Sequence, residues 1–140
     1  SAAKMALVGL MNTLHLEGAK YDIRANCLAP TALTRMTNDL GIPEEAAKSL
    51  DPESVTPGLL YLVCEDAPSR TILSAAAGSY TVSHVVETAG LWLPPEARTV
   101  DEVAAQFSTV QERTVVRLYT GAYEQTTYLL TRAMAAKGTT

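Results

Sequence analysis

An apolar helix followed at once by a short apolar strand constrains this chain more than any other feature. Residues 2–20 have helical periodicity, and their leucine and methionine side chains fall on more than one stripe. A helix that is apolar on nearly all sides must be covered on both faces. We therefore expect one continuous helix that packs on a sheet with one face and on a second helix or a subunit with the other.

Three further segments predict the strands of that sheet. Residues 23–29 are too few for a helix, and Pro30 closes the run, as expected of a parallel strand buried on both faces. Residues 71–77 predict a second buried strand. Residues 80–87 are rich in β-branched side chains, which predicts an edge strand or a hairpin arm.

Proline and aspartate mark the helices between the strands. Residues 43–48 predict a short helix with proline near its start. Asp51 is the expected N-cap of a second helix that reaches about residue 65. Pro57 lies inside that segment, so the helix is either kinked there or begins at Thr56.

The C-terminal part of the chain is predicted to be helical. Trp92 and the two prolines after it end the β-rich region. Residues 100–111 and residues 115–134 then carry apolar side chains at helical spacing. We expect two helices here, the second of them long.

Composition excludes several classes of partner. The formal net charge is −4 and the isoelectric point is about 5.1, whereas phosphate binding needs a basic face. The sequence has no basic run for an anionic membrane and no apolar stretch of about 18 residues that would span one. We therefore expect no nucleic acid and no membrane as a partner.

The cysteines and histidines predict neither a disulfide nor a metal site. Cys27 and Cys64 both lie in apolar surroundings, which favours buried free thiols in a reducing cytoplasmic compartment. His15 and His84 lie in unrelated segments with no cysteine or carboxylate at metal-ligand spacing. We assign no metal.

Four segments in a fixed order carry a resemblance to a known family. They are SAAK at residues 1–4, NCLAP at residues 26–30 followed by TRMT at 34–37, LDPESVTP at 50–57, and AGSY at 77–80. The first is similar to the tail of a Tyr-x-x-x-Lys motif whose tyrosine would directly precede Ser1. In this order the segments resemble the second half of a short-chain dehydrogenase/reductase, and most closely the (3R)-hydroxyacyl-CoA dehydrogenase unit of multifunctional enzymes.

The resemblance implies an α/β fold. We expect the C-terminal half of a doubly wound, Rossmann-like parallel sheet with a helical extension. Residues 1–93 would form a partial dinucleotide-binding domain that lacks its N-terminal half, and residues 94–140 the extension. The implied activity is hydride transfer between nicotinamide and a secondary alcohol or ketone, with a 3-hydroxyacyl thioester as the candidate substrate.

The resemblance also assigns site residues. Lys4 matches the family lysine, which favours the phenolate of the preceding tyrosine electrostatically and hydrogen-bonds the nicotinamide ribose. Lys4 is thus both the catalytic and a cofactor-binding candidate. The other cofactor-binding candidates follow the first strand: Pro30, Thr31, Ala32 and Thr34. The candidates for substrate contact are Leu33, Met36 and Leu40. Thr31 stands where most of the family has glycine.

The missing upstream elements leave the activity of this chain open. The sequence has no G-x-G-x-x-G turn to hold a pyrophosphate, so we expect NAD or NADP in the intact protein and no tight binding by this chain alone. The partner would be a complementary N-terminal half or a second copy, besides a small-molecule substrate. A non-catalytic, self-associating fragment is one alternative, and a fragment with an unrelated acquired activity is another.

Overall fold

The computed structural model describes residues 1–34 and 41–137. The chain divides into two compact units, Ser1–His84 and Val85–Thr140. The helices are α1 Ala2–Gly18, α2 Glu44–Lys48, α3 Thr56–Val63, α4 Val100–Ala105, α5 Phe107–Val110 and α6 Ala122–Lys137. The strands are β1 Cys27–Thr31, β2 Ile72–Ala76, β3 Ser79–Ser83, β4 Glu87–Thr88 and β5 Val116–Arg117. The predicted boundary between residues 93 and 94 stays a prediction.

The first unit is a mixed α/β structure built on a three-stranded sheet. Strand β1 pairs with β2 in parallel, and β2 pairs with β3 in an antiparallel hairpin, so the order is β1-β2-β3. The two predicted parallel strands and the hairpin arm are confirmed, but the prediction that the first strand is buried on both faces is wrong, since two residues of β1 are half-buried and three are exposed. Side chains of β2 alternate between buried and half-buried, which is the pattern of a central strand.

Strand β1 begins four residues later than the sequence predicts and continues through Pro30. The residues before β1 have other partners: the Ile23 N–H donates to the Gly18 carbonyl after the left-handed Asp22, and Ala25 and Asn26 bond to residues 68–71. The Cys27 N–H donates to the carbonyl of Thr71, directly before β2, at 2.8 Å. Because alternate residues of a strand face opposite neighbours, the position of Pro30 faces away from β2, where no ladder donor is lost.

Helix α3 begins at Thr56 and is not kinked at Pro57, which is the second of the two predicted arrangements. The Asp51 carboxylate accepts from the Glu53 N–H at 2.9 Å, so the predicted cap is confirmed. This cap opens a 3₁₀ turn at Pro52–Val55, and α3 starts at Thr56. Pro57 therefore lies in the first turn, where its missing N–H has no partner to lose.

The prediction of a single helix over residues 115–134 is wrong. Val116 and Arg117 instead form strand β5, which pairs antiparallel with β4. β-Branched neighbours favour this extended backbone. Helix α6 begins only after Thr120, whose N–H and hydroxyl both donate to the Glu124 carboxylate at 2.7 Å. The predicted helix 100–111 is also interrupted, at Gln106, between α4 and α5.

Helix α1 is not buried on both faces within a single chain. It covers residues 2–18 and continues as a 3₁₀ turn at Ala19–Tyr21, so the predicted extent is confirmed. Met11 is its only large apolar side chain that is buried, whereas Leu10 is 53% exposed and Leu14 is 45% exposed. The described sheet is too narrow to cover the other leucines. Among the described residues, no helix is long and apolar enough to cross a membrane.

Candidate functional site

An open groove of about 1080 Å³ is the main concave feature of the first unit. Helix α1, strand β1, helix α3 and the β2–β3 hairpin form its walls. Most of the lining is apolar, contributed by leucines of α1 and α3 and by the alanines of β2. The groove reaches the end of β1 at Thr31, which is the carboxyl end of the two parallel strands.

Lys4 lies at this end of the groove. It occupies the first turn of α1, and its N–H donates to the Ser1 carbonyl at 3.1 Å. Its side chain is exposed and makes no hydrogen bond or ion pair with the described residues, which leaves the ammonium group available for a partner in the groove. Later residues of α1 lie at the amino end of the strands, where His15 bonds to Ser69 and Asn12 to Arg70, and Leu7 O contacts Cys27 Sγ at the start of β1. The first turn of α1 therefore lies toward the carboxyl end of β1.

Three of the predicted site residues lie together on the groove wall. Lys4, Pro30 and Thr31 all line it, so residues 26 positions apart in the sequence converge there. The register places Pro30 opposite Ala75 and Thr31 opposite Ala76. Small alanine side chains on the neighbouring strand leave this wall open for a ligand.

The loop after β1 holds the remaining candidates, and only part of it is described. Leu33 is half-buried, and its N–H donates to the Leu50 carbonyl at 2.7 Å. Ala32 is half-buried and Thr34 is exposed, and each has an interaction partner. None of these three lines the groove. The substrate candidates Met36 and Leu40 lie outside the described residues.

Sequence reasoning missed the hairpin as part of the site. Ser74, Ser79 and Thr81 place hydroxyl groups on the groove wall. The sequence alone does not show that these three residues share one face, because Ser74 lies in β2 whereas Ser79 and Thr81 lie in β3, and a turn joins the two strands. The signal that could have found them is Gly78, which with Ala77 forms the two-residue connection that brings the strands together.

A second polar cluster lies at the opposite, amino end of the parallel strands. Asn26 accepts from the Thr71 N–H at 3.0 Å and donates to the carbonyl of Pro68 at 2.7 Å. Ser69 Oγ accepts from the Ala25 N–H at 3.1 Å. These bonds join the segment before β1 to the turn before β2, so the cluster holds the two strands in place, and Ala25 and Asn26 also line the amino end of the groove.

The thiols differ from the prediction that both are buried. Cys27 is half-buried on the groove wall and Cys64 is exposed, because α3 ends at Val63 and its last turn faces solvent. Both are free thiols. Among residues 1–34 and 41–137, no group of three histidine, cysteine, aspartate or glutamate side chains is placed to hold a metal ion.

Tyrosines of the second unit form a packed cluster. The rings of Tyr119 and Tyr128 are 6.1 Å apart, and the Arg117 guanidinium lies 3.9 Å from the Tyr128 ring centre. Loss of hydration raises the pKa of Tyr119 above its ordinary value, and nearby Glu87 and Glu124 add to the rise while Arg117 opposes it. A raised pKa favours the neutral phenol of Tyr119 over its phenolate.

The groove wall carries two groups of the kind that one end of a nicotinamide dinucleotide would need. An ammonium group and a hydroxyl at the carboxyl end of a parallel strand, Lys4 and Thr31, are suited to a ribose and a carboxamide. The sequence has no glycine-rich turn for the pyrophosphate. The residues of this chain would therefore hold the nicotinamide end, and other residues would have to hold the rest.

Comparisons with curated proteins find homologues for most of the chain. A short-chain type dehydrogenase/reductase of Mycobacterium tuberculosis is 42% identical over 115 residues, which are 79% of this chain and 38% of that protein. The peroxisomal hydratase-dehydrogenase-epimerase of Saccharomyces cerevisiae is 42% identical over 100 residues, which are 71% of this chain and 11% of that protein. The chain thus spans well under half of each relative.

Solved structures share the fold. The full-length peroxisomal multifunctional enzyme type 2 from Drosophila melanogaster matches 96% of this chain and 25% of its own, with a TM-score of 0.79 and 27% identity. A short chain dehydrogenase from Mycobacterium avium matches 80% of this chain and 39% of its own, with a TM-score of 0.59 and 24% identity, and shows the fold alone. No protein-family model matches. This chain, with its mixed α/β fold and Lys4 on the groove wall, is a homologue of the short-chain dehydrogenases/reductases and of the peroxisomal multifunctional enzymes.

Proposed function

We propose that this chain is part of an NAD(P)-dependent oxidoreductase that transfers hydride between nicotinamide and a secondary alcohol or ketone. One observation carries the proposal: Lys4 and the carboxyl end of β1 line the same groove in a homologue of the short-chain dehydrogenases/reductases. Ligands of open α/β sheets bind at this end of the strands. The reaction would be completed by groups that this chain does not contain.

Lys4 would act together with a tyrosine one helical turn before it. Residues four apart on a helix lie on the same face, so a tyrosine directly preceding Ser1 would share the face of Lys4. An ammonium group at this distance stabilises the phenolate and lowers the tyrosine pKa from about 10 toward the working range. The tyrosine could then exchange a proton with the substrate hydroxyl or carbonyl, while the dinucleotide supplies or accepts the hydride.

The substrate proposed is a 3-hydroxyacyl thioester or a similar secondary alcohol. The support is the relatedness to proteins named as a hydratase-dehydrogenase-epimerase and as multifunctional enzymes. The apolar lining of the groove suits an acyl chain better than a sugar or a charged metabolite.

We propose a cytoplasmic location, because both cysteines are free thiols. Since relatives of this chain are named peroxisomal, import into that organelle is the alternative to test.

The test restores the missing groups and then removes Lys4. The chain is joined to a homologous N-terminal half whose last residue is the tyrosine before Ser1, and reduction of nicotinamide is followed with a 3-hydroxyacyl thioester. Lys4→Ala should lower turnover by roughly 10²-fold, the usual scale for disrupted acid–base catalysis. Lys20→Ala is the matched control, because Lys20 lies beyond α1 and outside the groove lining, with its ammonium group 4.9 Å from the Tyr21 ring centre. Equal rates for both variants would contradict the assignment.

The isolated chain should bind dinucleotide poorly. It supplies the nicotinamide end of the groove but no glycine-rich turn for the pyrophosphate. Titration calorimetry of the isolated chain with NAD and with NADP should therefore give no low-micromolar affinity. Tight binding would show that this chain holds the cofactor by residues other than those proposed.

A second candidate is a non-catalytic chain that associates through α1. The exposed leucines of α1 favour it, since an apolar helix face of this kind is usually covered in solution. Leu10→Lys would then reduce a dimer to the 14.9 kDa monomer, whereas Thr13→Lys, at an exposed polar position, would not. Sedimentation equilibrium distinguishes the two, and a dimer that survives Leu10→Lys would exclude association through this face.

A further inference from the structure

Strand β3 is an edge of the described sheet without the usual protection. Its only neighbour in that sheet is β2, and all five of its residues are exposed. The strand is Ser79–Ser83 with the sequence SYTVS, which contains no charge, no proline and no glycine. Edge strands of monomeric proteins ordinarily carry such residues, because an open row of backbone groups otherwise pairs with another strand.

The turn before β3 determines which backbone groups point outward. Ala77 and Gly78 both have positive φ, 49° and 75°, as a two-residue type I′ turn requires. The pair that closes such a turn, here Ala76 and Ser79, exchanges hydrogen bonds within the hairpin. Alternation along the strand then directs Ser79, Thr81 and Ser83 to β2.

Two residues of β3 direct their backbone hydrogen-bonding groups to the open edge of the sheet. The N–H and C=O groups of Tyr80 and Val82 face away from β2, because they alternate with the residues that bond to it. Tyr80 is held in place: its hydroxyl donates to the Ser54 carbonyl at 2.7 Å, and its ring covers Gly58. The edge is therefore ordered before any partner arrives.

The sequence of β3 is nearly palindromic about Thr81. An antiparallel copy centred on Thr81 would place serine opposite serine, Tyr80 opposite Val82, and Thr81 opposite its own copy. Aromatic–β-branched and threonine–threonine pairs are among the favourable cross-strand pairs. The backbone agrees with this register, since the outward-facing Tyr80 and Val82 become the hydrogen-bonded pairs and give four bonds across the dyad.

We propose that β3 pairs with β3 of a second copy of this chain, which joins two three-stranded sheets into one of six strands. The interface is isologous, as a two-fold symmetric dimer requires. The opposite edge is less suited to this role because Pro30 removes a donor at an outward-facing position of β1. This inference does not depend on the proposed function, and the dimer would form whether or not the chain takes part in catalysis.

Cysteine cross-linking tests the pairing and its register. In a two-fold pair centred on Thr81, the two Cα atoms of residue 81 lie about 4.5 Å apart, within the range for a disulfide. Thr81→Cys should therefore give a covalent dimer on oxidation with copper phenanthroline. Ser79→Cys is the control, because Ser79 would face Ser83 of the other copy and lie roughly 13 Å from its own counterpart. The parent protein, with Cys27 and Cys64 only, sets the background.

A backbone variant tests the same edge without a cross-link. Val82→Pro removes an outward-facing N–H and should shift the mass in sedimentation equilibrium from dimer to monomer while the circular dichroism spectrum is unchanged. Thr81→Val keeps both the shape and the neutrality of the central pair and should stay dimeric. A monomeric parent protein, or equal cross-linking by Thr81→Cys and Ser79→Cys, would overturn the proposal.

Discussion

The two ends of the parallel strands are built differently. At the amino end, the segments before β1 and β2 are joined by side chains that bond to backbone groups, chiefly Asn26 and Ser69. At the carboxyl end, the groove is lined by alanines and hydroxyls, and the Lys4 side chain makes no bond with the described residues. One end satisfies its polar groups internally and the other leaves them available.

This difference separates stability from function. Buried backbone groups need hydrogen-bond partners, so the amino end fixes the spacing and register of the strands. A ligand site must keep polar groups available and walls open, so the carboxyl end contributes little to stability. Substitutions at the amino end should therefore change the free energy of unfolding, and substitutions at the carboxyl end should change activity.

The largest effect is expected at Asn26. Asn26→Ala removes the acceptor for the Thr71 N–H and the donor to the Pro68 carbonyl, and leaves these half-buried groups without partners. Loss of such bonds costs about 2 kcal/mol in the free energy of unfolding. Urea denaturation of the variant and parent protein measures it.

Asn26→Asp is the informative control for that experiment. The carboxylate keeps the acceptor for Thr71 but places a charged oxygen where the amide nitrogen donated to the carbonyls of Pro68 and Leu62, so Asn26→Asp should be at least as destabilised as Asn26→Ala. If Asn26→Ala is as stable as the parent protein, the amino end is not the structural anchor that its hydrogen bonds indicate.

Local sequence patterns predicted most of the first unit. Asp51 caps its segment as expected, and the apolar run at residues 71–77 is the central strand β2. The same approach missed that β1 starts at Cys27, because an apolar run does not show which of its backbone groups are already bonded. Asn26 and Ser69 lie 43 positions apart in the sequence and act only through the fold, so no pattern could pair them.

The second unit was harder to predict for a related reason. Residues 115–134 have apolar side chains at helical spacing, but Val116 lies opposite Thr88 in a two-stranded antiparallel ladder instead. Long-range pairing overrode the local signal there. The site candidates Lys4 and Thr31 came from the family resemblance, and both line the groove. The groove residues Ser74 and Thr81 could be found only from the register of the hairpin.

A matched pair of serine substitutions sharpens the comparison of the two ends. Ser69→Ala removes the acceptor for the Ala25 N–H and the bond to His15 Nδ1 at 2.9 Å, and should destabilise by about 1 kcal/mol. Ser74→Ala, on the groove wall, removes a hydroxyl that makes no hydrogen bond with the described residues. Its free energy of unfolding should change by less than about 0.5 kcal/mol. Equal losses would show that the two ends do not differ in this respect.

The smallest effect on stability is expected for Lys4→Ala. The Lys4 side chain is exposed and has no bond with the described residues, and alanine is the stronger helix former. Thermal and urea denaturation of the variant should match the parent protein within about 0.5 kcal/mol. The same substitution should cost the restored enzyme roughly two orders of magnitude in turnover. A residue that alters activity and leaves stability unchanged belongs to the site, so a clear loss of stability in Lys4→Ala would place Lys4 in the scaffold instead.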